Sequence, residues 1–455
     1  MSAPPADVAE RLERLAAQAP LSDLEPDTLW RRGRRRQRDR ALWALASVVA
    51  VGVLGTAVMP GLLARSQTVV PATSGGVMVL PEVLRQPSGW EQAFPAAPGQ
   101  LSAVGVGTRS GLLGSRGSAW GVSAVTGESR FLDLPQALAV AQPALSDDGT
   151  RVAYWLRTSA DVDALGRAGA GAMLADGVAV LDLQSGVRRV WRLESPHGLW
   201  IDGLAWAGDV LWWSAGPARA SAGALTATRA LHTWDLGSGR RTTAGRATFG
   251  QPVSANGVRP APDGFVESVG VRRATRVTGD GPPTMLRFRL PDDATQEVAR
   301  GVQQPAVNTD GTRVAGLMAS DFYTESPSPL PLVAGRIDGR DAALSVVDGI
   351  EAGAVLGWRS PTEVVIASLD DVEPGRPARA LRAWTVDVTT GERNALIEFD
   401  GATPQVAADA WAGHVVAAPS APFAPDPRVI ALGGAVVLVF LVSLWRSIRG
   451  RRGHP

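Results

Sequence analysis

Residues 143–155 read PALSDDGTRVAYW and residues 305–317 read PAVNTDGTRVAGL, so one phrase returns after 162 residues. No other feature narrows the fold as far, because a chain that repeats itself must stack or ring copies of one unit. A second phrase measures that unit. LDLQSGVRRV (181–190), WDLGSGRRTT (234–243) and VDVTTGERNA (386–395) place Gly186, Gly239 and Gly391 at intervals of 53 and 152 residues. Both phrases therefore fit a period of roughly 50–54 residues, within the range of β-propeller blade repeats. They alternate along the chain, as two different hairpins of one four-stranded sheet would. In the first, Asp148-Gly149 and Asp310-Gly311 supply a tight turn that needs positive φ. In the second, Ser185-Gly186, Ser238-Gly239 and Thr390-Gly391 do the same.

Between residues 100 and 420 the sequence is strand grammar: apolar runs broken by Gly, Pro, Asp and Ser-Gly turns, with no long amphipathic helix. The template gives units at 143–195, 203–247, 251–300, 305–350 and 353–400. Two leftovers remain. TPQVAADAWAGHVVAAP (403–419) reads as opening strands without a closing pair, and GSAWGVSAVTGESRFLDL (117–134) as a closing pair without its opening. Joining them closes a ring with no exposed sheet edge. The expected fold is all-β, a six-bladed propeller, or seven-bladed if residues 77–106 supply strands of their own.

The phrase PALSDDGTRVAYW resembles the P-x-x-S-P-D-G-x-x-[IV]-A-[FY] repeat of TolB-like, WD-repeat-like bacterial propellers. Asp147 stands where that family has Pro, and the second copy has Asn308-Thr309-Asp310. The resemblance covers most of 143–400 and implies a propeller. It implies no activity, since propellers host binding modules, hydrolases and lyases alike.

The ends of the chain add a membrane. Residues 41–64 run 24 residues without a charge, and 429–445 give 17 more; both lengths suit a transmembrane helix. Trp43 and Trp445 stand near the Arg-rich ends of these segments, where interfacial aromatics belong. The first segment follows Arg31, Arg32, Arg34, Arg35, Arg36, Arg38 and Arg40, and the second precedes Arg446, Arg449, Arg451 and Arg452. Positive flanks stay inside, so both termini are expected in the cytoplasm and everything between them outside. Removing the nine Arg of 1–40 and the four of the tail from 45 leaves 32 Arg against 37 acids in 65–428. The expected layout is a leader (1–40), a first span (41–64), a linker (65–100), an extracytoplasmic propeller (101–420), a second span (429–445) and a basic tail (446–455). It resembles membrane proteins of high-GC, actinobacterial-type bacteria, and a composition with 51 Gly, 33 Pro and arginine as its sole strong base agrees. A run of this length and position is too long for a cleaved signal peptide. Beside a span the arginines read as topology rather than as a nucleic-acid site.

Composition also removes chemistries. Without cysteine there is no disulfide, thiolate metal site or Cys nucleophile, and without lysine no Schiff base or P-loop. His197, His232, His414 and His454 have no metal-ligand spacing, and no G-x-S-x-G elbow occurs. A calcium reading of SDDG fails because Ca²⁺ takes about six to eight oxygens and the second copy loses an aspartate. Trp200, Trp206, Trp212 and Trp213 could stack on a glycan or peptide, but burial between blades is the stronger reading. The loops 322–332 and 368–379 read as exposed connections. Val8, Leu12 and Leu15 mark a short leader helix that could touch a cytoplasmic regulator.

The expectation is thus a non-enzymatic, membrane-tethered propeller with no cofactor, no metal and no nucleic-acid partner. It would bind a protein or glycan of the envelope at its axial mouth. The alternatives are an exported propeller hydrolase or lyase and a transmembrane sensor. Inward carboxylates with shifted pKa at one axial mouth would favour the enzyme.

Overall fold

The computed structural model describes residues 77–111, 114–158, 174–221, 224–227, 230–244, 258–270, 272–279, 281–290, 301–319, 329–368, 380–401 and 403–420, with separate positions at 10–17 and 429–443. The chain divides into two compact units, Thr68–Ala424 and the two ends Met1–Gln67 with Pro425–Pro455. In the second of these, described positions between 10 and 17 and between 429 and 443 are helical, and Arg14 pairs with Glu10 at 2.7 Å. Among the described residues no helix is long and apolar enough to cross a membrane. The expected span 41–64, the flanking arginines, the leader's Val8, Leu12 and Leu15, and His454 lie outside the described residues; 429–445 is described in part.

The large unit is built from strands. β1 (Val79–Pro81) and β2 (Val83–Arg85) lead into β3 (Leu101–Gly111), β4 (Gly114–Ser123) and β5 (Ser129–Phe131). Next come β6 (Ala144–Leu145), β7 (Arg151–Arg157), β8 (Leu174–Asp182) and β9 (Arg188–Arg192). β10 (Leu199–Ala207), β11 (Val210–Ser221), β12 (Ala224–Ala227), β13 (Ala230–Asp235) and β14 (Arg241–Ala244) follow. Then come β15 (Val258–Ala261), β16 (Gly264–Gly270), β17 (Arg273–Thr278) and β18 (Thr284–Arg289). β19 (Gly301–Val307), β20 (Arg313–Ala319), β21 (Leu330–Asp338) and β22 (Asp341–Ala352) precede β23 (Ala354–Trp358), β24 (Glu363–Ser368), β25 (Ala380–Asp387) and β26 (Arg393–Asp400). β27 (Gln405–Val406), a 3₁₀ turn (Ala408–Ala412) and β28 (His414–Val416) end it. Each run pairs as an up-and-down antiparallel meander, the blade of a β-propeller.

One hydrogen bond recurs in every blade. An N–H at the end of the third strand donates to the carbonyl just before the second strand. The pairs are Ala124 to Gln100, Leu183 to Thr150, Leu236 to Asp209, Gly279 to Asp263, Ile337 to Thr312 and Val388 to Thr362, all at 2.8–3.2 Å. These bonds hold both turns at one end of the blade, the end where the repeated phrases lie. Neighbouring blades are locked by tryptophan. Trp206 Nε1 donates to Ala144 O and Trp358 Nε1 to Ala306 O, each at 3.0 Å. Ala144 and Ala306 occupy the same place in the two copies of the phrase, so the 162-residue repeat is also a repeated inter-blade bond.

The two leftover stretches share one sheet through β3, which pairs with β4 on one side and with β27 on the other, Gln405 opposite Val104 and Val406 opposite Ala103. β1 lies parallel on β28 in a two-stranded sheet, and β2 lies parallel on β26 at the edge of another. Two boundaries differ from the sequence reading. β10 starts at Leu199 and β19 at Gly301, both earlier than the templates, and each carries a bulge that breaks the alternation used to find strand starts. The SDDG turn is also wider than two residues. Ser146 N–H donates to Arg151 O at 3.0 Å, and Gly149 alone in it is left-handed, at φ 66°.

A Cβ on Gly149 would stand 2.0 Å from Leu101 O, whereas one on Gly239, at φ 73°, meets nothing within 4 Å. Gly239→Ala should therefore cost the left-handed penalty alone, about 1–2 kcal/mol. Gly149→Ala adds displacement of the neighbouring strand and should cost roughly 1–3 kcal/mol more. Urea unfolding of the two variants checks the order.

Candidate functional site: the axial cavity

The first strands of the blades surround a cavity of about 490 Å³. Its wall includes Leu145 on β6 and Asp147 after it, Ile201 to Trp206 on β10, Val258 to Pro260 on β15, Gln304 on β19, Ala354 and Leu356 on β23, and Gln405, Val406, Ala408 and Trp411 at the closing segment. A wall drawn from every opening strand makes this the axis of the propeller. Its size falls in the range of small-ligand sites.

Two glutamines set its perimeter. Gln405 Oε1 accepts Leu145 N–H and Gln304 Oε1 accepts Val355 N–H, each at 3.1 Å, so each joins one opening strand to the next. Arg259 joins three. Its Nε donates to Val355 O at 2.7 Å, Nη1 to Val258 O at 2.8 Å and Nη2 to Gln304 Oε1 at 2.9 Å. Burial lowers its pKa to about 10, which still leaves it charged at neutral pH.

The two aspartates of SDDG separate in role. Asp148 serves the turn: its carboxylate accepts Ser146 Oγ at 2.6 Å, Thr150 N at 3.0 Å and Thr150 Oγ1 at 2.8 Å. Asp310 does the same for Thr312 in the second copy, and the Thr312 hydroxyl, then its N–H, hold the carboxyl below its usual range. Asn308 replaces Ser146 with the same backbone acceptor role, taking Arg313 N at 2.9 Å where Ser146 Oγ takes Arg151 N at 2.9 Å. Asp147 takes no part in this, and its counterpart is exposed Thr309. It lines the cavity instead. Burial pushes its pKa up to about 8, helped by Asp409, Asp148 and Asp263. Asp409, on the 3₁₀ turn, donates its N–H to Asp147 O at 3.1 Å, and burial and then Asp148 raise its carboxyl too.

The sequence reading treated both aspartates as turn formers. The signal that separates them is in the repeat: the copy with Thr309 turns without the acid. What no local reading could supply is the meeting of positions 147, 263 and 409.

The other expected residues are spread over the blade ends. Asp182, Asp235 and Asp387 cap the turns of the second phrase, accepting Ser185 N at 2.8 Å, Ser238 N at 3.1 Å and Thr389 N at 2.8 Å. Ser185, Ser238 and Thr390 each accept the N–H two residues on at 3.2 Å, across Gly186, Gly239 and Gly391 at φ 70–76°. Gly311 has φ 75°. These residues turn the chain and do not converge on the axis. His232 is packed inside its blade, stacked 4.1 Å from Trp213 with Nδ1 3.0 Å from Thr243 Oγ1, and burial lowers its pKa to about 4. His197 and His414 are exposed. Among the described residues no three Asp, Glu or His side chains come close enough to hold a metal ion. Trp206, Trp212 and Trp213 are buried and Trp200 half-buried.

Asp147 fixes a pH dependence. Its folded pKa lies above the ordinary 3.8. Between about pH 4 and 8 the fold therefore binds a proton that the unfolded chain has released, and stability falls as pH rises through that window. Asp147→Asn should flatten this fall and raise the melting temperature more at pH 8 than at pH 5. Thermal melts across that range check it.

No protein-family model and no curated protein matches the sequence. Solved structures of similar fold include the β-propeller domain of the Trilobed protease from Pyrococcus furiosus, at 16% identity, covering 65% of this chain and 79% of that one, with a TM-score of 0.37. The periplasmic gluconolactonase of Pseudomonas aeruginosa is 15% identical over 71% and 86%, with a TM-score of 0.35. The WD40 repeats of RRP9 are 11% identical over 69% and 85%, with a TM-score of 0.33. The propeller assignment rests on the chain's own strand pairing, and these likenesses assign it no activity.

Proposed function

We propose that this chain is a six-bladed, membrane-tethered propeller that binds an envelope ligand in its axial cavity, outside the cytoplasmic membrane, without transforming it. The observation that carries the reading is the cavity itself. It is about 490 Å³, reached by every opening strand, and lined by side chains fixed by inter-blade hydrogen bonds. Fixed walls favour recognition because little ordering remains to be done on binding. The blade count of six follows if 405–406 and 101–131 form one blade with the five runs between them.

The tether rests on the two uncharged segments and their arginine flanks. It is supported by Val429, Leu432, Val439 and Leu441, helical residues whose side chains are more than half exposed. Outward apolar side chains on a helix suit lipid. One observation favours the second reading, an exported hydrolase or lyase: Asp147 would keep its proton at neutral pH beside Asp409, as a general acid must. Binding is preferred because no imidazole among the described residues lines the cavity and Asp409 is not among its lining residues.

Two experiments test this. Protease added to spheroplasts carrying the full chain, tagged at each end, should digest 65–428 and spare both tags; loss of a tag overturns the topology. Crosslinking from native membranes should capture a ligand with the wild-type chain. Ala354→Trp, which fills the cavity from β23, should abolish the capture at an unchanged melting temperature. Equal capture by this variant overturns the axial site, and Asp147-dependent turnover of the captured ligand would replace binding by catalysis.

A further inference from the structure

The lining of the axial cavity includes one arginine, Arg259, and two aspartates, Asp147 and Asp202. The Arg259 guanidinium is bonded through all three nitrogens to the opening strands around it. The Asp147 carboxyl, on a half-buried residue that lines the cavity, has no hydrogen-bond partner among the described residues. The groups around it are acids. Asp148 stands in its own turn, Asp409 on the 3₁₀ turn and Asp263 in the turn between β15 and β16. The nearby arginines are engaged elsewhere: Arg151 with Asp209, Arg259 as above. The turn does not require the carboxyl, since Thr309 fills the same place in the second copy.

We propose that the axial cavity takes a small organic amine, whose ammonium group is seated against the Asp147 carboxylate and whose carbon stem lies along the cavity's apolar wall. This rests on the axial cavity being the ligand site. Three features support the choice. A carboxyl without a partner is stabilised as its anion by a cation placed against it. A carboxylate or phosphate would meet the repulsion of the surrounding aspartates. The apolar part of the cavity wall includes Leu145, Trp155, Trp206, Phe265 and Trp411, and aromatic rings also attract ammonium groups. A metal ion is disfavoured because no third ligand stands close enough among the described residues.

Binding is then linked to a proton. At neutral pH Asp147 holds its proton; the ammonium ion replaces it, the carboxylate remains, and the proton leaves to solvent. An amine with an ordinary pKa near 10 stays charged throughout.

Calorimetry on the full chain in detergent tests this with n-butylamine, 1-butanol and butyrate, which share a four-carbon stem. Butylamine should bind, with affinity rising about tenfold per pH unit from 6 to 8 and levelling above. About one proton should be released at pH 7. Asp147→Thr, which gives this turn the residue of the second copy, should lose this binding while still melting cooperatively. Affinity independent of pH, binding unchanged in Asp147→Thr, stronger binding of butanol or butyrate, or no binding of butylamine each overturns the proposal. If the amine fails while Ala354→Trp still abolishes capture, the axial site stands and its ligand is not an amine. If that variant captures normally, the site itself has failed.

Discussion

The fold depends on a clasp of two residues. A ring of sheets is free of edges only when its last strand returns to its first, and β27 does so through two paired positions, Gln405 with Val104 and Val406 with Ala103. Closing a loop of about three hundred residues costs several kcal/mol of entropy, more than two ladder positions at about 1 kcal/mol per bond return. The closing segment is accordingly tied at many further points. Gln405 binds Leu145 in the next blade, Ala407 N–H reaches Ser102 O at 2.9 Å, and His414 N–H reaches Met78 O at 3.0 Å. Trp411 packs on the next sheet, where a Cβ on Gly357 would stand 2.9 Å from its ring. β1 and β2 add parallel pairs at both flanks of the closure.

The same clasp completes the site. Residues 403–412 bring Gln405 and Trp411 to the cavity wall and Asp409 beside Asp147. An open ring would hold Asp147 in its turn but would lack the neighbour that, after burial, most raises its pKa. Site and closure are therefore one cooperative unit, and a ligand that binds the closed cavity stabilises the ring by mass action.

The hairpins were legible in the sequence because their turns need particular residues. An aspartate accepting two N–H groups, a Ser or Thr accepting a third, and a left-handed glycine leave the same mark wherever they recur. Strand starts were less legible: the bulges at Ile201–Leu204 and Gln303–Ala306 shift the alternation by a residue. The tryptophan lock could be read in outline, since Trp206 and Trp358 lie 152 residues apart, the same interval as Gly239 and Gly391. Its partners Ala144 and Ala306 could not, because a carbonyl acceptor has no residue preference. The cavity's acid was half legible, as a mismatch between two copies of one phrase. Its chemistry depends on residues 116 and 262 positions away, which only the ring brings together.

That mismatch bears on why the acid is there. Ser146 and Asn308 differ, yet both take the N–H five residues on, so this difference is neutral to the turn. Asp147 and Thr309 are not equivalent in the same way. A hydroxyl at this place is exposed, whereas the carboxyl is half-buried and stands among other aspartates. It carries a desolvation cost that its twin shows to be avoidable. A blade built only for stability would favour the threonine solution in both copies. Carboxyls held at such a disadvantage concentrate where a ligand or a proton completes them. In this chain that disadvantage is confined to the one copy of the phrase that faces the axial cavity.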